Sequence, residues 1–393
     1  MIWSRRVDAD LTANRLTTTV GALRAEGRSI VDLTVSNPTA AGFRYPPGML
    51  SGLADPRGLV YRPEPLGLAV AREAIAADYR RRAVDVPADR IVVTASTSEA
   101  YSLIFKVLCD PGTEILVPRP SYPLLDHLAR LDAVVPRFYD LEYHRGWAID
   151  FASVERALSP AVRAIVVVSP NNPTGSRIKA RELEQLATLA AERGAAIVAD
   201  EVFVDYELSK VEDAGVPLDG GPALTFSLCG LSKSIGLPQA KLSWIAAAGP
   251  SALVDEALAR LEFAGDAYLS VSTPVQEAAP GLLETGRVVR EQIQTRVAAN
   301  FRHLAESVSD ESGCTVLEAE GGWYTVLRVP EIASEEELVL SLLEKHGVLT
   351  HPGYFFDFQR GAHVVLSLLP AEDLFRDGVS RVLRHFTCTP DGA

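Results

Sequence analysis

The sequence has little from which to build a disulfide framework or a metal cluster. Its 393 residues include four cysteines, Cys109, Cys229, Cys314 and Cys388, far apart and without a CxxC pair. A reducing cytosol is therefore the default compartment, and no metal is expected. No apolar run reaches membrane-spanning length, and the opening MIWSRRVDADLT lacks the apolar segment of a secretory signal. Positive charge is scarce too: 38 Lys and Arg face 51 Asp and Glu, a formal net charge of -13. That balance argues against nucleic acid or an anionic membrane as partner, although a small anion needs only a few local donors. No GxGxxG follows a strand, which speaks against dinucleotide binding. Repeats, low-complexity tracts and obvious linkers are missing as well.

What is present is ordinary for a globular chain, 47% hydrophobic and 23% charged, and long enough for one large domain plus a smaller one. Apolar periodicity suggests helices over 11–26, 67–82, 98–109, 122–131 and 180–193, with short strands over 30–35, 90–93, 114–117, 162–169, 195–199, 224–228 and 242–247. Short apolar strands separated by helices imply a mostly parallel sheet covered on both faces. The tail changes character: helices over 287–307 and 335–345 flank strands over 324–329 and 363–368. The expected architecture is α/β, with a large domain over 46–279 and a smaller α+β domain built from both ends, 1–45 and 280–393.

In open α/β sheets, ligands bind beyond the carboxyl ends of the strands. Four polar clusters follow apolar strands: Thr94 to Ser98, Asn171 to Gly175, Asp200-Glu201 and Gly230 to Lys233. Singly, each has a plain structural explanation. Asn-Pro-Thr-Gly makes a good turn, Asp200 suits a helix N-cap, and a lysine after serine is usually a solvated surface residue.

Their combination and order are more specific. SPNNPTG, then ADEVFVDY, then GLSKSIGLPQAKLSW resembles the fold-type I, class I/II aminotransferase family. VVTASTSEAYSL is similar to that family's phosphate loop, PRPSYP carries an aromatic where the family stacks one on its cofactor, and Tyr61 with the stretch from Gly67 matches its tyrosine and following helix. The resemblance covers roughly residues 30–370. It implies pyridoxal phosphate held as an imine on Lys233, which later moves the proton at the substrate's amino carbon. Asp200 would pair with the ring nitrogen and keep the ring an electron sink. Asn172 would donate to the ring's 3-oxygen, Tyr122 would cover the ring face, and Thr97, Ser98, Ser232 and Lys241 would hold the phosphate. Tyr61 would reach that phosphate across a homodimer with shared sites.

The sequence departs from the family at Lys241, where an arginine is usual, at Gly230 in place of serine, and at Phe203 in place of tyrosine. The largest departure lies in the strand His363 to Leu369, where Val365 takes the place of the arginine that binds the substrate carboxylate. Arg119, Arg328 and Arg360 are candidates to replace it, with Asn37 as a further contact or a simple turn residue. Alternatively the substrate presents no α-carboxylate there. The resemblance implies a cytoplasmic transferase that passes an amino group from a small-molecule donor to a keto acceptor by a ping-pong route. The alternatives are another reaction of the same cofactor (lyase, racemase or oxidative) or a non-catalytic cofactor-binding regulator.

Overall fold

The computed structural model describes residues 3–7, 11–309 and 312–387; Cys388 lies outside them. Its centre is an eight-stranded mixed sheet. From one edge to the other run Ile91–Thr94, Ser243–Ala248, Thr225–Gly230, Ala196–Asp200, Val162–Val168, Glu114–Arg119, Val135–Tyr143 and Trp147–Ile149. The middle strands, from Thr225–Gly230 across to Val135–Tyr143, are parallel, and the pairings outside them antiparallel.

The strand sequences explain this placement. Ala196–Asp200 and Thr225–Gly230 are buried along their whole length, as strands covered on both faces must be. Val135–Tyr143 was not expected as a strand. Pro136, Arg137, Asp140 and Glu142 break its apolar pattern because only one short strand, Trp147–Ile149, lies outside it, and its residues are mostly exposed or half-buried. The helices keep close to their expected limits because caps define them. Ser96 accepts from Glu99 N and opens Thr97–Leu108, and Gly194, with φ of 64°, closes Ala180–Arg193. The helix expected over 122–131 starts only at Leu124, after Pro120 and Pro123.

A second, antiparallel sheet is built from Thr315–Val316, Tyr324–Val329, Ala362–Ser367 and His351–Pro352, in that order. The two ends of the chain meet where Val31–Asp32 pairs in parallel with Val348–Leu349. The strand expected over 30–35 is this short because the Asp32 carboxylate turns back onto Thr34 N and Oγ1. The largest difference is the helix expected over 287–307, which runs unbroken from Thr273 to Ser307. Pro274 suits its first turn, and Pro280 is accommodated within it. The expected boundary between 279 and 280 thus falls inside one helix. Among the described residues no helix is long and apolar enough to cross a membrane.

Candidate active site

A cavity of about 340 Å³ opens beyond the carboxyl ends of the parallel strands. Asp200 ends its strand, Asn172 follows Val162–Val168, Lys233 lies one turn beyond Gly230, and Thr97 and Ser98 begin a helix after Ile91–Thr94. All of these, with Ser232 and Tyr122, line the cavity.

Asp200 is buried, with Oδ2 accepting from the Tyr101 hydroxyl at 3.0 Å and Oδ1 from Val202 N at 3.2 Å. Burial pushes its pKa up to about 6, against the pull of those hydrogen bonds and of Lys233. Burial also draws the Lys233 ammonium below its ordinary range, with Asp200 opposing. Its Nζ lies 5.0 Å from the Trp323 ring centroid and 5.8 Å from that of Phe203. The backbone beneath this amine is fixed from below: Tyr206 donates from its hydroxyl to the Lys233 carbonyl at 2.5 Å, and Arg290 Nε donates to the Ser234 carbonyl at 2.9 Å. Arg290 is itself buried and paired with Asp78 and Asp205.

The tandem asparagines divide their work. Asn171 donates to the Pro120 carbonyl and to Thr174 Oγ1 and so builds the turn, whereas Asn172 borders the cavity with its side-chain oxygen buried and unpartnered. Gly175 closes that turn at φ +69°, where a Cβ would lie 2.6 Å from Ala319 Cβ. Gly230 has a packing cause: a Cβ there would lie 2.1 Å from Ser243 Oγ. Ser243 lines the cavity in turn.

Other expected residues are placed elsewhere. Lys241 is exposed in a left-handed turn, φ 52°, and does not line the cavity. Tyr61 is 73% exposed and borders a different, small hollow with Tyr268 and Gln276. Asn37 uses its side-chain oxygen to cap the turn, accepting from Thr39 N and Oγ1 at 3.0 and 2.7 Å, and it borders an open depression that reaches Lys233. Arg119, Arg328 and Arg360 converge on a separate cavity of about 640 Å³, with Glu331 and His363. There Arg119 is paired with Asp140, and Arg328 donates to Thr315 Oγ1 at 3.3 Å. The small sheet reaches the Lys233 cavity through residues the sequence did not single out, Tyr324, His351 and the following Phe355 and Phe356. Tyr324 is hydrogen-bonded to Ser36, and Phe203 packs edge-on against Trp323 and Tyr324. Tyr101 had a usable signal, since it lies one helical turn after Thr97 and shares its face. Tyr324 and His351 had none, because only sheet register brings them here.

The family model for aminotransferase class I and II matches residues 53–373. The alanine aminotransferase of Mycobacterium tuberculosis is 25% identical over 366 residues, 88% of this chain and 83% of that protein. The glutamate-pyruvate aminotransferase AlaA of Escherichia coli is 25% identical over 376 residues, 93% of this chain and 92% of its own length. The solved structure of an alanine aminotransferase from Pyrococcus furiosus superposes with a TM-score of 0.86 at 25% identity, covering 98% of this chain and 99% of that one.

Proposed function

Because the chain belongs to the class I and II aminotransferase family, we propose that the cavity around Lys233 is where it moves amino groups, with Lys233 and Asp200 as the working pair. The family's members are pyridoxal-phosphate-dependent transferases that act on amino and keto substrates, and so is this chain.

The wall suits that cofactor. It offers a buried carboxylate, a desolvated amine, the amide of Asn172 and a helix N-terminus. When bound, pyridoxal phosphate supplies the aldehyde that takes up an amino group and the ring that withdraws electrons from the carbon bearing it. Asp200, ionised, would hold the ring nitrogen protonated, and Tyr101 and Val202 N keep that carboxylate aimed. Asn172 would donate to the 3-oxygen, and Tyr122 would lie against the ring face. The first-turn N–H groups of Thr97 and Ser98 precede the helix's own hydrogen-bond ladder and suit a phosphate, with Ser232 and Ser243 adding hydroxyls. Lys233, poised toward its neutral form by burial, would take the proton from the donor's amino carbon and return it to the carbon on the other side of the nitrogen. Tyr206 and Arg290 restrict its turn so that the amine meets that carbon in one geometry.

The observation that carries this reading is the convergence of Lys233, Asp200 and Asn172, from three different strand ends, on one cavity. Borohydride should fix the cofactor on Lys233, found by peptide mass, and an amino donor should release one carbonyl product per site. Cofactor fixed on another lysine refutes the assignment.

A homodimer and a cytosolic setting belong to the same proposal. Tyr61 and Tyr268, both exposed, border one hollow, and Leu59 and Val60, next to Tyr61 in the chain, are exposed too, as a surface covered by a second copy would be. Among the described residues the cysteines are unbridged. For the division into 46–279 against 1–45 with 280–393, the separate small sheet and the pairing of the two chain ends support two parts, with the helix Thr273–Ser307 running across the boundary at 279.

A further inference from the structure

We propose, resting on the amino-transfer reading above, that the donor admitted here is an amine with no carboxylate on the carbon bearing its amino group and no other charged group, and that the lack of a cation at His351 and Val365 sets this choice. Val365 is fully buried and stands in register between Val326 on one neighbouring strand and His351 on the other. Of the register pair Val365–His351, the histidine lines the Lys233 cavity. Its ring packs against Phe355 and Phe356 at centroid distances of 6.0 and 5.9 Å, and Nδ1 is buried without a partner. Burial holds the imidazole toward its neutral form.

Among the described residues that line the cavity there is no arginine, and Lys233 is the single cation. Lys233 already interacts with Asp200, so a donor carboxylate would bring a second negative charge to a wall for which the described residues of this chain supply no further positive one. The arginines that might have met it are on the other cavity, engaged with Asp140 and Thr315 in two cases. A carboxylate buried against His351, with Val365 behind it in register, would be stripped of water with no ionic partner. An alkyl or aryl group in that place meets instead Leu124, Leu125, Leu128, Phe355 and Phe356.

The exchange balances without another reagent. A donor R–CH2–NH2 leaves as the aldehyde R–CHO; its nitrogen stays with the cofactor as a primary amine, water supplies the aldehyde oxygen, and the hydrogen lost from the amino carbon passes through Lys233. The donor is oxidised and the cofactor reduced by the same two electrons.

Matched pairs that differ only by the carboxylate test this: phenylethylamine against phenylalanine, and butylamine against norvaline, each offered to the holoenzyme. The loss of the bound-cofactor absorbance and the carbonyl product are followed. The amines should show kcat/KM at least about tenfold above their amino acids, the least expected for an unpaired buried carboxylate. His351→Arg should move the ratio toward the amino acids by about tenfold or more through a new charge-assisted pair. His351→Leu should keep the wild-type preference. In Lys233→Ala carrying pyridoxal phosphate, phenylethylamine should raise Tm and phenylalanine should not. Amino acids reacting as well as the amines in the wild type, or no change of ratio in H351R with cofactor bound, overturns the inference alone. If no donor of either kind discharges cofactor that is bound at Lys233, the transferase reading falls with it.

Discussion

Two cavities share one short segment of chain, Arg119 and Pro120 bordering the first and Tyr122 to Leu125 the second. The larger, about 640 Å³, gathers Arg119, Arg328 and Arg360, but Asp140, Glu142 and Glu331 share its wall. The smaller, about 340 Å³, has one lysine and one buried carboxylate. Charge that is water-exposed and already paired perturbs little, whereas two desolvated groups of opposite sign change each other's protonation and become reactive. The number of cations is therefore a poor guide to where the chemistry is done, and their burial a good one.

The strongest way to break this comparison is Lys233→Ala. Turnover should fall by at least about a thousandfold, because no other amine among the described residues lines the cavity, while circular dichroism stays that of the wild type. A variant with a tenth of normal turnover would mean that the reacting amine is elsewhere.

Asp200→Asn comes next, with a double signature. Activity should drop at least about a hundredfold, since the ring nitrogen loses its anionic partner. The cofactor-free protein should become more stable. The folded-state pKa of about 6 lies above the ordinary 3.8, so folding disfavours the ionised form; the penalty is full above about pH 6 and gone below about pH 4. The gain at pH 7 is up to about 3 kcal/mol and vanishes near pH 4, as denaturant melts at the two pH values would show. Equal stability of the two proteins at pH 7 would place this carboxylate in water.

Tyr206→Phe should be milder. It deletes the hydroxyl that donates to the Lys233 carbonyl, and kcat should fall about tenfold with KM nearly constant, the worth of one buried hydrogen bond. A change confined to KM would mean that Tyr206 serves binding and not the placement of the amine. Arg328→Ala and Arg360→Ala should do least, leaving KM for the best donor within about twofold, as surface changes away from a site do. A large rise in KM from either would join the two cavities functionally and undo the contrast.

The halves of the Lys233 cavity differ in how far the sequence revealed them. Lys233, Asp200, Asn172 and Thr97 each follow an apolar strand within a few residues, so the pattern that marks the strand also marks the rim. Short-range packing even accounts for departures such as Gly230, whose Cβ would strike Ser243. Lys241 lies off the wall because it follows the short helix Pro238–Ala240 and is itself left-handed. The opposite wall depends on antiparallel register over long sequence separations. Nothing local in His351 or Tyr324 tells which strand residue they will face. The arginine candidates border the other cavity, and in Tyr324–Val329, otherwise buried, Arg328 alone is exposed. The strand over 135–143 was hidden by its polar composition, and the start of the long helix by Pro274 and Pro280.

That helix acts as a gauge block. Arg290 on Thr273–Ser307 holds the Ser234 carbonyl, and Asn300 on the same rod holds the carbonyls of Leu368 and Pro370, just past the strand that contains Val365. Ten positions at 1.5 Å each separate the two grips by about 15 Å along one rigid axis. The amine and the wall facing it are thus calibrated against a common length, although they belong to different sheets. Inserting a single alanine between 290 and 300 would lengthen the block by about 1.5 Å and rotate one grip by about 100° relative to the other, enough to detune the amine from the facing wall with no residue of either replaced.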